Sequence, residues 1–266
     1  MAIHISWEKI CKDYKILEHD FTKQPFEITA NQIKVSCQDF KGTGEKEVRI
    51  LCKQDTRESR PNIFKENNLF LLPKKNGTYY IVQGEGYVNI PQITTEVINY
   101  KSKLDFKLES SMVGDSEMQH LDLAYASSLV RTFMNDDSLL LTIRGRKYTP
   151  GFDFKVGKQI LSVESVQTEV DAGYEGRDKI VLIEAKNSDV TNTIIRQLYY
   201  PYRQWKQQTT KDVYLLFFDR EKNSDIYNIW QFKFTDENDY NSIILVKSGK
   251  YRIIGPNSKK GNGNEE

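Results

Sequence analysis

The chain has 266 residues, 38% of them apolar, which suffices to bury one large core or two small ones and excludes a disordered protein. Lysine plus arginine number 38 against 37 aspartate plus glutamate, so there is no global basic field, and any nucleic-acid surface must be a local patch. Cys11, Cys37 and Cys52 fit no zinc spacing and read as buried thiols in a reducing compartment, and no apolar run reaches the roughly eighteen residues of a membrane span, so a soluble, intracellular protein without a membrane partner is expected.

Residues 1–108 read as a mixed α+β region that opens on a short helix, with strands expected at 33–35 and 47–52. In LFLLPKKNGTYYIVQGEGYVNIP, Asn76-Gly77 between two apolar runs signals a hairpin, and Gly84-Glu85-Gly86 a second turn. The polar stretch KQDTRESRPNIFKENN comes just before it, with Pro61 placed to open a short helix. A helix followed by a wing-like hairpin reads either as a DNA-contacting unit or as a small α+β subdomain with a solvated charged loop; in the first reading Arg57 and Arg60 are the candidates for reading guanine edges in the major groove.

Met118, Leu121, Tyr125, Leu129 and Phe133 recur at spacings of three and four, which predicts a helix capped by Asp115 or Ser116. Extended segments follow, broken by Gly145, Pro150-Gly151 and Gly157. The stretch QTEVDAGYEGRDKIVLIEAKN, residues 167–187, is expected to be a hairpin that turns at Glu175-Gly176-Arg177-Asp178. Residues 189–206 read as a helix with Ile194, Leu198, Pro201, Tyr202 and Trp205 on one stripe, bent by its proline. VYLLFFDR is a buried strand, YNIWQFKF alternates like a half-buried one, and SIILVKSGKYRII completes a last hairpin before a disordered tail at 255–266. The order predicts an α/β (α+β) core with a central mixed sheet flanked by helices at 109–254, joined to the N-terminal region.

Side chains two apart on a strand share a face, so Glu184 and Lys186 point together, as do Glu169 and Asp171 on the partner strand. With the turn at 175–178, Asp171 and Glu184 come within a residue or two of being cross-strand neighbours. Two carboxylates that close repel, and one takes up a proton unless a cation lies between them. Two carboxylates, water and phosphate oxygens form a ligand set that magnesium accepts.

These residues resemble the PD-(D/E)XK nucleases, and among them the type II restriction endonucleases, over roughly residues 110–235. The resemblance implies a restriction-endonuclease-like core in which Asp171 and Glu184 hold Mg2+, the Ala185 carbonyl is a further ligand, and Lys186 works with the attacking water. It makes Gln197 and Tyr200 of IIRQLYYPYRQW and Glu117 of GDSEMQHLDLAYASS the supporting residues, with Tyr200 reaching the DNA. Val170 stands where many members carry a proline, and Glu169 competes with Asp171 for the role of first acid. Arg144, Arg146 and Lys147 of TIRGRKYTP are phosphate-contact candidates, whereas His120 reads as structural.

The function expected from this resemblance is hydrolysis of both strands of double-stranded DNA at a short sequence, by a homodimer in a bacterial cytoplasm. Other nucleases of the same type, for repair, nicking or junction resolution, are the alternatives, as is a DNA-binding protein on an inactive core.

Overall fold

The computed structural model describes residues 2–114, 116–187, 190–222 and 224–256. Asp115 and, apart from Gly255 and Pro256, the tail expected to be disordered lie outside the described residues. Ser116 caps its helix: its Oγ accepts the Gln119 N–H, and the Gln119 side chain accepts the Ser116 N–H in return.

The N-terminal part runs α1 (Ala2–Asp13), β1 (Phe26–Thr29), α2 (Ala30–Ser36), α3 (Thr43–Lys46), α4 (Val48–Leu51), α5 (Asn62–Glu66), β2 (Leu69–Lys75) and β3 (Thr78–Gln83). Both strands expected near its start are helical. At 33–35 the Thr29 hydroxyl and the Gln32 side chain form a reciprocal cap that starts α2, and Ile33 and Cys37, four apart, are both buried. At 47–52 burial falls on Val48 and Leu51, three apart, while Ile50 is exposed; a strand would have buried alternate residues.

The β2–β3 hairpin closes over Asn76-Gly77 as expected, with Gly77 at φ 74°. Its side chains alternate between two cores. Leu69, Leu71, Tyr79 and Ile81 face a small core around Trp7, Ile10 and Phe64, whereas Phe70, Leu72, Tyr80 and Val82 face the main core.

The remaining elements are β4 (Tyr87–Asn89), β5 (Ile98–Lys101), α6 (Glu117–Ala126), α7 (Leu129–Met134), β6 (Leu140–Tyr148), β7 (Phe152–Val156), β8 (Gln159–Val163), β9 (Gln167–Glu175), β10 (Lys179–Lys186), β11 (Asn192–Ile194), α8 (Arg196–Gln208), β12 (Asp212–Arg220), β13 (Ile226–Phe234) and β14 (Ile243–Ile254). The molecule is a mixed α+β fold whose seven-stranded sheet runs β5-β14-β13-β12-β10-β9-β6. β10 and β12 are parallel, with α8 in the crossover between them; β14 and β5 are also parallel, and the other neighbours are antiparallel. One face packs on α6 and α7 through Leu121, Leu129, Ala172, Tyr174, Val181 and Ile183. The other packs on α8, the β7–β8 hairpin and the N-terminal sheet through Ile180, Leu182, Leu198, Tyr199 and Phe217.

Three further expectations shift. The boundary placed at 108 falls earlier in the chain, because β4 pairs with β11 and β5 is an edge strand of the large sheet. The helix expected from 189, a position itself outside the described residues, starts at Arg196; Asn192–Ile194 before it are held straight by β4, some hundred positions upstream in sequence. The stripe from Met118 to Phe133 is broken at Ser128, whose φ of 66° separates α6 from α7.

Candidate active site

The β9–β10 register pairs Ile180 with Glu175 and Ile183 with Ala172, so the next opposed positions are Glu184 and Asp171. The regular ladder gives way at that step. The Ala185 N–H donates at 2.8 Å to Oδ2 of Asp171, a side chain standing where a strand carbonyl would be. On its other side β9 bulges: between the pairs Ile143–Gly173 and Gly145–Val170, β6 advances two residues and β9 three. The extra residue re-aims Asp171 towards the end of β10, a use of bulges common beside functional sites.

Glu184 is 7% exposed. Its Oε1 accepts a hydrogen bond from Gln197 Nε2 at 2.7 Å and an ion pair from Lys186. The Thr193 hydroxyl in turn donates to Gln197 Oε1 at 2.7 Å. Thr193 went unread in the sequence, because its place depends on the β11–β4 pairing. Among the described residues, Oδ1 of Asp171 and Oε2 of Glu184 take no hydrogen bond.

Burial raises the Glu184 carboxyl to about 7, with the Asp171 charge adding to the rise and Lys186 opposing it. Burial also raises Asp171, against the Ala185 N–H and Lys186, which favour its charged form. For Lys186, burial works against the ammonium, but the charges of Glu184, Asp171 and Glu117 outweigh it and the net shift is upward. The pair of acids is therefore costly to ionise without a further cation. Among the described residues, no group of three or more His, Cys, Asp or Glu side chains is arranged to hold a metal. A divalent ion here would have two carboxylates, with water and substrate oxygens filling the rest of its shell, which suits magnesium.

Asp171, Glu184, Lys186 and Gln197 line a polar cleft of about 420 Å³. Its opposite wall comes from the N-terminal region, with Arg49, Lys53 and Asp55, and Arg196 opens α8 beside them. None of these four was picked out from the sequence, because single charges scattered over 150 residues carry no pattern.

The other expected residues divide. Arg146 lines the cleft and pairs with Glu169 at 3.3 Å, which leaves Glu169 exposed at the rim and Asp171 as the acid turned towards Glu184. Lys147 is exposed beside it on the edge strand β6. Glu117 lies near enough for its charge to raise both Asp171 and Lys186, and its Oε1 accepts the Asn187 N–H at 3.0 Å, which ties α6 to the end of β10.

Four candidates are corrected. Arg144 is turned onto α6, where it pairs with Asp122. Arg57 donates to Asn89 Oδ1 at 2.7 Å and to the Tyr87 carbonyl at 3.1 Å, and Arg60 donates to the Leu69 carbonyl at 3.0 Å while covering the Tyr87 ring. Both guanidinium groups serve their own packing instead of presenting a fork to DNA. Tyr200 is 1% exposed and donates its hydroxyl to the Pro73 carbonyl at 2.9 Å, so it joins α8 to the hairpin. His120 is structural as expected, buried edge-on to Tyr227 and within 3.2 Å of Arg220.

The family described as "Domain of unknown function (DUF6997)" matches residues 82–252, from the end of β3 to near the end of β14. The chain belongs to the DUF6997 family. The N-terminal part of this DUF6997 protein, residues 4–81, matches a second family, "Domain of unknown function (DUF6996)", and the junction of the two falls where the small core ends. No curated protein matches the chain. One solved structure, "Crystal structure of SSO0001", is similar at 15% identity over 47% of this chain and 52% of that one, with a TM-score of 0.23. The match spans about half of that protein and carries no argument for the fold.

Proposed function

We propose that this DUF6997 protein is a magnesium-dependent DNA nuclease of the PD-(D/E)XK type, and within that type a restriction endonuclease that cuts both strands of a short site as a homodimer. The observation that supports the reading is the convergence of Asp171, Glu184 and Lys186 at the open end of β10, with Glu184 held by Gln197. A passive sheet gains nothing from a buried glutamate at about 7 facing a second raised carboxyl.

Asp171, Glu184 and the Ala185 carbonyl would hold the ion. Bound magnesium would polarise the scissile phosphate and acidify a water. The chain's own residues do the rest. Lys186, kept charged by its three acidic neighbours, orients the attacking water and offsets charge building on the phosphate oxygens. Thr193 fixes the Gln197 amide, which fixes Glu184. Arg146 and Lys147 on the edge strand meet the DNA backbone beside the cut.

The test is Lys186→Ala. The variant should lose cleavage in magnesium while retaining DNA binding in calcium. Undiminished cutting would end the reading, and nicked or branched products instead of discrete fragments would move it to a repair or junction-resolving nuclease.

A further inference from the structure

Arg196 stands half-buried in the cleft, 23% of its side chain exposed. It offers five N–H donors, yet among the described residues its side chain makes one hydrogen bond, from Nη2 to Asp55 Oδ1 at 3.4 Å, and its Nε is buried without a partner. Arg203, seven residues on, shows the contrast: it donates to the Asp153 carbonyl, the Tyr199 hydroxyl and the Glu237 carbonyl. An unsatisfied buried donor costs free energy that a structural arginine avoids by filling its fork.

The surroundings identify what would fill it. Arg196 shares the cleft with Asp171 and Glu184, and with Arg49 and Lys53, both exposed and without an ion pair among the described residues. Three cations that have, among the described residues, one ion-paired acid between them, Asp55, form a site for an anion. Asp55 is held independently of its carboxylate, because its backbone carbonyl accepts the Ile194 N–H at 2.8 Å. The carboxylate can thus release Arg196 without the loop coming away.

We propose that Arg196, with Arg49 and Lys53, is a phosphate-binding site of the substrate cleft, and that Asp55 is its resident counter-ion, displaced when a DNA backbone phosphate enters. This rests on the nuclease reading and deepens it: the N-terminal region forms one wall of the catalytic cleft and grips the strand being cut. A guanidinium fork meets two phosphate oxygens at once, which a lysine cannot reproduce. Removing the carboxylate of Asp55 takes away the competitor and a charge that repels DNA.

The two partners should therefore act in opposite directions. Binding of a fluorescein-labelled 20-base-pair duplex is measured in calcium across a salt series, with thermal melting as a check on folding. Arg196→Gln should weaken binding roughly ten- to a hundred-fold and lower the slope of log K against log salt by about one. Arg196→Lys should recover part of the affinity. Asp55→Asn should bind more tightly than the wild type. If both variants lower the melting temperature and leave binding unchanged, or if Asp55→Asn binds as weakly as Arg196→Gln, the pair is a structural bridge and the inference is overturned. Wild-type protein that binds no duplex in any salt would overturn the nuclease reading itself, a result distinct from wild-type binding that Arg196→Gln leaves intact.

Discussion

Thr193 donates its hydroxyl to Gln197 Oε1, and this one bond leaves the amide nitrogen of Gln197 facing Glu184. A glutamine amide can turn either end to a carboxylate, and the wrong end would set oxygen against oxygen. Thr193→Val removes the donor at nearly constant volume. Cleavage should fall about ten-fold in turnover with little change in DNA affinity, since what is lost is the set of Glu184, not a contact with DNA. Gln197→Ala should be more severe, and a Thr193→Ser control should restore most of the rate. Single-turnover cleavage of plasmid DNA reads all three, and unaltered rates in Thr193→Val would remove Thr193 and Gln197 from the catalytic set.

Glu184 makes the stability of the metal-free protein depend on pH in a stated direction. Its carboxyl is raised to about 7 in the fold, above the range it has in the unfolded chain, so the native state binds a proton that the unfolded state has released. The associated stability is fully present below pH ~4.5, fades as the pH rises, and is gone above about 7. Urea denaturation without metal should show the protein losing on the order of 2 kcal/mol between pH 5 and pH 8, and Glu184→Gln should flatten that slope. Magnesium should restore more stability at pH 8 than at pH 5, because binding expels the same proton. A slope that Glu184→Gln leaves unchanged would contradict the assignment.

Gly173 is required by packing. A Cβ at this position would stand 2.6 Å from the Ile143 side chain of β6, next to the bulge that turns Asp171. Gly173→Ala should destabilise the protein by about 1–3 kcal/mol and reduce cleavage by shifting Asp171. Adding Ile143→Ala should recover part of both in the double variant, measured by denaturation and by the plasmid assay. Full activity in the single variant would separate the bulge from the aim of Asp171.

Arg57 and Arg60 carry structural hydrogen bonds, so their loss should be felt in stability. Arg60→Ala leaves the Leu69 carbonyl without its donor and uncovers the Tyr87 ring, at a cost of about 1–3 kcal/mol. The set of sites cut should be unchanged. A variant with normal melting and relaxed site preference would return these arginines to base readout.

What could be read from the sequence was whatever a short window contains. The Asn76-Gly77 turn, the hairpin at 175–178 and the shared face of Glu184 and Lys186 follow from two-residue periodicity and turn chemistry. From these alone Asp171 and Glu184 come out as neighbours, and the register places them opposite each other. The misread parts depended on partners far away in sequence. Short runs at 33–35 and 47–52 are too brief for periodicity to separate helix from strand. The strand at 192–194 exists because β4 lies beside it. Arg196, Arg49, Lys53 and Asp55 meet only when the N-terminal region closes over the main sheet, and Arg57, Arg60 and Tyr200 were drawn inward by carbonyls that no local pattern announces.

The most direct measurement is digestion of a sequenced phage genome by the purified protein in magnesium, beside Asp171→Asn and Lys186→Ala. The wild type should give a fixed set of discrete fragments, absent without metal and absent from both variants. Intact DNA from folded wild-type protein at every magnesium and manganese concentration would contradict it.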